Sequence, residues 1–183
     1  SNENFNGIWN FRVAGGQKGK PIMINGILEG LVPEDLVIAL IDIQKRESFY
    51  DFVNNGVELV KDSGLPYDLK LVAGDIEYVN RTTQEILNNV PIEFSLGQNY
   101  PNPFNPRTKM KYSLPRYAEV NITIYNVLGQ EVVVLLNKEK EYGYHVISWN
   151  GNDEYGKRVA SGVYFARLTT ESFTQTKKML LLK

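Results

Sequence analysis

The chain of 183 residues has no cysteine and a single histidine, His145. Without cysteine there are no disulfides, no thiolate metal sites and no cysteine nucleophile. Any Ser-His-Asp system would have to use His145, which falls in an expected strand, and no G-x-S-x-G elbow accompanies it. Phosphate loops and dinucleotide fingerprints are missing too. Neither sign of charge dominates: 20 basic and 21 acidic residues leave a net charge of −1. With no charge block, nucleic acid and membrane surfaces are poor partners. No apolar run approaches the ~18 residues of a membrane span, and no signal peptide is visible. The opening residues 1–4 read as a cloning scar, so the chain is expected to be a piece of a longer protein. These absences point to a chain that is not an enzyme and needs no cofactor.

What the chain does have is 15 glycines, 8 prolines and 11 tyrosines, with 43% hydrophobic residues. That composition favours short strands joined by turns. The most distinctive stretch is Asn99-Tyr100-Pro101-Asn102-Pro103-Phe104-Asn105-Pro106-Arg107-Thr108. Its prolines fix φ and remove backbone donors, so the segment is extended and cannot be a central strand. Tyr100 and Phe104 are poor linker residues, which suggests a ribbon laid onto a folded body.

Ahead of the ribbon, Trp9 to Val13 alternates as a half-buried strand should. Ile22-Met23-Ile24 is a second strand, closed by Asn25-Gly26. Val37 to Ile43 is apolar on both parities except Asp42, the mark of a strand covered on both faces or placed at a domain contact. Phe49 to Val53, Asn54-Asn55-Gly56 and Val57 to Val60 read as a hairpin, and Asp62-Ser63-Gly64 as a turn. Tyr67, Leu69, Leu71 and Ala73 share one strand face. This gives about six or seven short strands, a small sandwich over residues 5–74. From Asp75, an expected N-cap, Ile76, Val79, Thr83, Ile86 and Leu87 fall at helical spacing. A linking helix is expected within 75–92, stopped by Pro91.

After the ribbon, Lys109 to Leu114, Val120 to Ile124, Glu131 to Leu136, Tyr144 to Trp149, Gly162 to Thr169 and Phe173 to Leu182 read as strands. Gly129 is expected at positive φ in the Asn126 to Gln130 turn. The fold class expected is all-β, two immunoglobulin-like sandwiches joined by a short helix, the second over 93–183. Trp9 and Trp149 lie on apolar strand faces and are expected in the cores, which argues against a sugar-stacking platform. Glu34-Asp35 and Asp153-Glu154 are adjacent acidic pairs, read as turn residues because sequence neighbours rarely face one another across a substrate. Asn150, Asn152, Asp153 and Glu154 offer oxygens to a Ca²⁺ ion but lack the rest of an EF-hand pattern. No metal is therefore expected, and Asn150, Asn152 and Asp153 are its weak candidates. The final strand is apolar on both parities near its end and is expected to be a free edge open to strand addition.

In order, the ribbon, Ile124-Tyr125-Asn126-Val127-Leu128-Gly129-Gln130-Glu131-Val132, Trp149-Asn150-Gly151, Ala160-Ser161-Gly162-Val163-Tyr164-Phe165 and the Lys177-Lys178-Met179 to Lys183 end resemble the type A C-terminal sorting domain of type IX secretion. That domain is similar to the immunoglobulin-like domain of flagellar hook-capping proteins. The resemblance covers about Phe94 to Lys183. Residues Phe5 to about Val90 more loosely resemble the sandwich that often precedes such domains in large surface proteins. The resemblance implies export through the periplasm to the cell surface or medium, with the outer-membrane type IX machinery and its sortase as partners. Its motif residues here are Pro101, Asn102, Pro103, Asn105, Pro106, Gly129, Gly162, Tyr164, Lys177, Lys178 and Lys183. Asn150 departs from the family's more frequent Asp, which counts against metal binding in that turn. Two other readings stand beside this one: a carbohydrate-binding or stalk module of a surface hydrolase, and a self-assembling cell-envelope protein.

Overall fold

A computed structural model describes residues 6–14, 17–50, 52–60 and 66–182. The expected Asp62-Ser63-Gly64 turn, the residues 1–4 and Lys183 lie outside the described residues. The chain divides into two compact units, residues 1–90 and 91–183.

The first unit contains β1 (Gly7–Val13), β2 (Pro21–Ile24), β3 (Val37–Asp42), β4 (Glu47–Phe49), α1 (Phe52–Asn55), β5 (Val57–Val60), β6 (Tyr67–Gly74) and α2 (Ile76–Asn89). A four-stranded antiparallel sheet has the order β1-β6-β3-β4, and β2 pairs with β5 in a separate two-stranded sheet. Val57 and Leu59 of β5, with Phe52, pack on Leu40, Tyr67 and Leu69 of the larger sheet. On its other face α2 lies against β3 and β6. That double cover explains why β3 is apolar on both parities and almost wholly buried. Asp75 caps α2, its side chain accepting from Tyr78 N–H at 2.7 Å. Val79, Thr82 and Thr83 form the buried stripe of the helix, whereas Ile76 is exposed at its first turn.

Two expectations fail here for physical reasons. Phe49 to Val60 is not a hairpin. Phe52–Asn55 forms one helical turn, closed by Gly56 N–H donating to Phe52 C=O at 2.9 Å with Gly56 at φ 65°, and β5 pairs with β2 instead. The hydrophobic spacing of Phe52 and Val53 serves that turn as well as it would a strand. Nor is Trp9 in a core: it is 49% exposed. β1 is an edge strand, paired among the described strands with β6 alone, and of its side chains Val13 rather than Trp9 packs against the core.

The second unit contains β7 (Ser95–Leu96), β8 (Thr108–Leu114), β9 (Ala118–Tyr125), β10 (Glu131–Lys140), β11 (Gly143–Trp149), β12 (Gly162–Thr169) and β13 (Thr174–Leu181). They form a sandwich of two antiparallel sheets, β10-β9-β12-β13 and β11-β8-β7. Val120, Ile122 and Ile124 of β9 face Met110, Tyr112 and Leu114 of β8 across a core that includes Ala166, Leu168, Met179 and Leu181. The strict alternation of β9 thus becomes an inner apolar face and an outer polar one. Both units are mainly strand, and the chain is all-β with antiparallel sheets. No described helix is long and apolar enough to cross a membrane.

Candidate functional site

The proline ribbon connects the two sheets of the second unit. At its start it extends the β8 sheet: Gly97 N–H donates to Lys111 C=O at 2.7 Å, and Tyr100 exchanges backbone bonds with Lys109 at 2.8 and 3.0 Å. It then crosses to the other sheet. Phe104 N–H donates to Leu180 C=O at 3.0 Å, Leu182 N–H donates to Phe104 C=O at 2.9 Å, and the bridge from Phe104 to Leu181 is parallel. Between these points side chains stand in for a strand. Asn102 Oδ1 accepts from Leu180 N–H at 2.9 Å, and Gln98 Nε2 donates to Lys178 C=O at 2.7 Å. Gln175 Oε1 accepts from Leu96 N–H at 2.6 Å.

The last strand is therefore not the free edge expected from its sequence. Its outward groups from the Lys178 C=O to the Leu182 N–H are taken up by the ribbon and the residue before it. Proline suits this place because Pro101 and Pro103 have no N–H, so the ribbon does not offer a full new edge of its own. Both proline bonds, Tyr100-Pro101 and Asn102-Pro103, are cis.

Two polar residues that sequence reasoning passed over hold the ribbon's bend. Asn99 and Thr108 are buried. Asn99 Nδ2 donates to Pro101 C=O and to Thr108 Oγ1, each at 3.0 Å, and Thr108 Oγ1 donates to Pro101 C=O at 2.9 Å. Gln98 Nε2 donates to Asn99 Oδ1, which completes the amide's partners. The sequence signal for Asn99 was its place two residues before Pro101. Nothing local marked Thr108 as its partner.

Phe104 anchors the ribbon in an aromatic cluster. Its ring centroid is 5.6 Å from that of Trp149, which lies 5.1 Å from Tyr164 in an edge-to-face contact. Trp149, 1% exposed, donates from Nε1 to Asn152 C=O at 2.8 Å. Tyr164 donates to Ala160 C=O at 2.8 Å, and its burial pushes the phenol pKa up. Gly151, at φ +76°, leaves room for the Pro106 carbonyl, which would lie 3.1 Å from a β-carbon there. So the ribbon, the Trp149-Asn150-Gly151 segment and Tyr164 meet in one place. Gly162 begins β12 opposite Leu181. Gly129 stands apart, at φ 77° in a turn where Asn126 Oδ1 accepts from Leu128 and Gln130 N–H at 2.9 and 3.0 Å.

Pro101, Asn102, Pro103 and Asn105 are exposed along the ribbon, Pro106 is half-buried, and Lys178 is exposed beside them. Lys177 is half-buried on the inner parity of β13, opposite Ala166. An inward-pointing charge on an edge strand is a known guard against unwanted pairing.

The acidic turn is built from its own side chains. Asn150 Oδ1 accepts from Asn152 N–H at 3.2 Å, and Asp153 Oδ1 accepts from Tyr155 and Lys157 N–H at 3.1 and 2.8 Å. Asn152 and Arg158 form a bridge across it. Glu154 N–H donates to Val132 C=O at 3.1 Å, tying the turn to β10. Asn150 and Asp153 thus spend oxygen lone pairs on backbone donors. Among the described residues, no three His, Cys, Asp or Glu side chains gather as a metal site would require. His145 stacks on Tyr112 with centroids 5.0 Å apart, and its Nε2 bonds Glu141 C=O at 2.9 Å. Burial raises the Tyr112 phenol pKa.

Comparison with known proteins matches residues 105–172 to the FlgD Ig-like domain. No curated protein sequence matches the chain. Among solved structures, one from a study of PorZ, described as an essential bacterial surface component of the type-IX secretion system of Porphyromonas gingivalis, is 18% identical with a TM-score of 0.35. It covers 62% of this chain and 14% of its own. A second, dimeric latent PorU from Porphyromonas gingivalis, is 16% identical with a TM-score of 0.41, covering 82% and 12% respectively. The chain thus spans only a small fraction of either protein's length, and the family match falls wholly inside the second, immunoglobulin-like unit.

Proposed function

We propose that the chain is a non-catalytic module whose second domain, residues 93–183, is a type A sorting domain. It directs a larger exported protein from the periplasm through the outer-membrane type IX machinery to the cell surface or medium. There the system's sortase removes the domain. Residues 5–74 are the preceding sandwich and 75–92 the helix that leads from it.

The observation that carries this reading is the convergence of the ordered motifs. Segments as far apart as Phe104, Trp149 and Tyr164 build one aromatic cluster, and the ribbon joins it to the C-terminal strand. The signal is then a folded surface rather than a linear peptide. Its readable parts are the exposed ones, Pro101, Asn102, Pro103, Asn105 and Lys178. The final residues act by completing the sandwich, since Met179 and Leu181 are core residues.

The test is a fluorescent reporter with a periplasmic export signal, fused to residues 91–183, in a bacterium that carries a type IX system. Reporter on the surface or in the medium is the expected result. A folded, protease-resistant fusion that stays in the periplasm contradicts the reading. Truncating Met179 to Lys183 is a poor control because it opens the core. Charge reversal at Lys178 is a better one, because that side chain is exposed.

A further inference from the structure

The four strand edges of the second unit are not treated alike. β13 is covered by the ribbon over its C-terminal half. β7 has two residues, and its Leu96 N–H is taken by Gln175. β10 has two register breaks, its Val132 C=O accepts from Glu154, and its far end carries Lys138, Glu139 and Lys140. β11 has none of these protections. We propose that β11 is the edge through which two copies of this chain pair.

The direction of its backbone groups follows from its neighbours. Lys109 and Lys111 of β8 bond the ribbon side, so Thr108, Met110, Tyr112 and Leu114 turn their backbone groups to β11. Their partners are Trp149, Ile147, His145 and Gly143. That leaves the N–H and C=O groups of Tyr144, Val146 and Ser148 pointing away from the sheet. None of them meets a partner among the described residues. Tyr144 is 72% and Val146 59% exposed. The strand Gly-Tyr-His-Val-Ile-Ser-Trp has no lysine, arginine or carboxylate and no bulge to discourage pairing.

A second copy fits this edge by symmetry. Antiparallel pairing about a two-fold axis at Val146 sets Val146 against Val146, and Tyr144 against Ser148, of the second copy. Every outward N–H then finds a C=O, and no like charges face each other. The surface beside Ser148 supplies what the exposed tyrosine needs. A groove of about 690 Å³ there is lined by Tyr100, Pro101, Arg107, Lys109 and Leu135. Ser148 and Lys109 are cross-strand partners on the same face, so the ring of Tyr144 from the second copy arrives at the groove mouth with a cation beside it.

Sedimentation equilibrium of the whole chain, from micromolar to near-millimolar, tests this. Wild type is expected to move from 20.8 kDa towards twice that mass. Val146→Lys and Val146→Glu each place like charges face to face and are expected to raise the dimer Kd at least tenfold. An equimolar mixture of the two variants is expected to restore the dimer, which also shows that both are folded. A wild-type chain that stays monomeric throughout overturns the proposal. So does a Val146→Lys chain that dimerises like wild type, or a mixture no more associated than either variant alone.

Discussion

Asn102 Oδ1 accepts a hydrogen bond from Leu180 N–H at 2.9 Å, at the place where a neighbouring strand would offer a carbonyl. With Phe104 bonded on either side of Leu181, this contact makes the proline ribbon a cover for the last strand. An apolar strand with open backbone groups would otherwise be a template for unwanted pairing.

Phe104→Ala should be the most damaging ribbon substitution. The ring is 2% exposed and packs on Trp149. Emptying such a site costs about 3–5 kcal/mol. Trp9→Ala, at a half-exposed edge position, should cost the first unit about 1 kcal/mol. Trp149 follows the second unit's urea unfolding by fluorescence, and because Trp9→Ala removes the first unit's only tryptophan, that variant is followed by circular dichroism. Equal losses from the two substitutions would contradict the packing described.

The turn glycines should differ in a definite order. Gly129→Ala places a side chain at φ +77° in open space, a cost of about 1–2 kcal/mol. Gly151→Ala has the same backbone cost and also presses on the Pro106 carbonyl. Its unfolding midpoint should therefore fall further. A Gly151→Ala midpoint at or above that of Gly129→Ala would show that the Pro106 contact is not tight.

Asp42 gives the first unit a pH signature. It is buried beneath the sheet, accepting from Tyr67 O–H and from Lys45 N–H, and burial raises its pKa above 3.8. The folded state therefore holds the proton more tightly than the unfolded chain does. The stability this contributes is present below pH 3.8 and is lost as pH rises from there through the raised folded value. Asp42→Asn cannot titrate. The wild-type stability minus that of Asp42→Asn should fall over that window, as read from urea midpoints. Parallel curves for the two proteins would refute a raised Asp42.

Much of this was legible in the sequence, for reasons visible in particular residues. Val120, Ile122 and Ile124 alternate because one face of β9 is core and the other is not. Asp75 precedes helical spacing and caps α2, and Gly129 takes the positive φ its turn requires. What failed was long-range. Phe52 and Val53 carry no mark that separates one helical turn from a strand, and the pairing of β5 with β2 depends on residues far along the chain. Trp9 alternates like a core residue, but it sits on an edge strand outside the packed core. The C-terminal strand looked like an open edge because its cover lies about eighty residues upstream, at Gln98, Asn102 and Phe104. Asn99 and Thr108 were missed for the same reason: a buried polar pair is recognisable only once the ribbon has bent.

Amide hydrogen exchange along β13 tests the ribbon's role most directly. Leu180 and Leu182 donate to Asn102 and Phe104, whereas Thr174 and Thr176, on the same outward parity, lie beyond the ribbon's backbone contacts. The expected pattern is slow exchange at Leu180 and Leu182 and fast exchange at Thr174 and Thr176. In Asn102→Ala, which removes about 1 kcal/mol of hydrogen bonding, Leu180 should speed up selectively while Met179 and Leu181 stay protected by β12. Exchange at Leu180 and Leu182 as fast as at Thr176 in the wild-type chain would mean that the ribbon does not cover the strand.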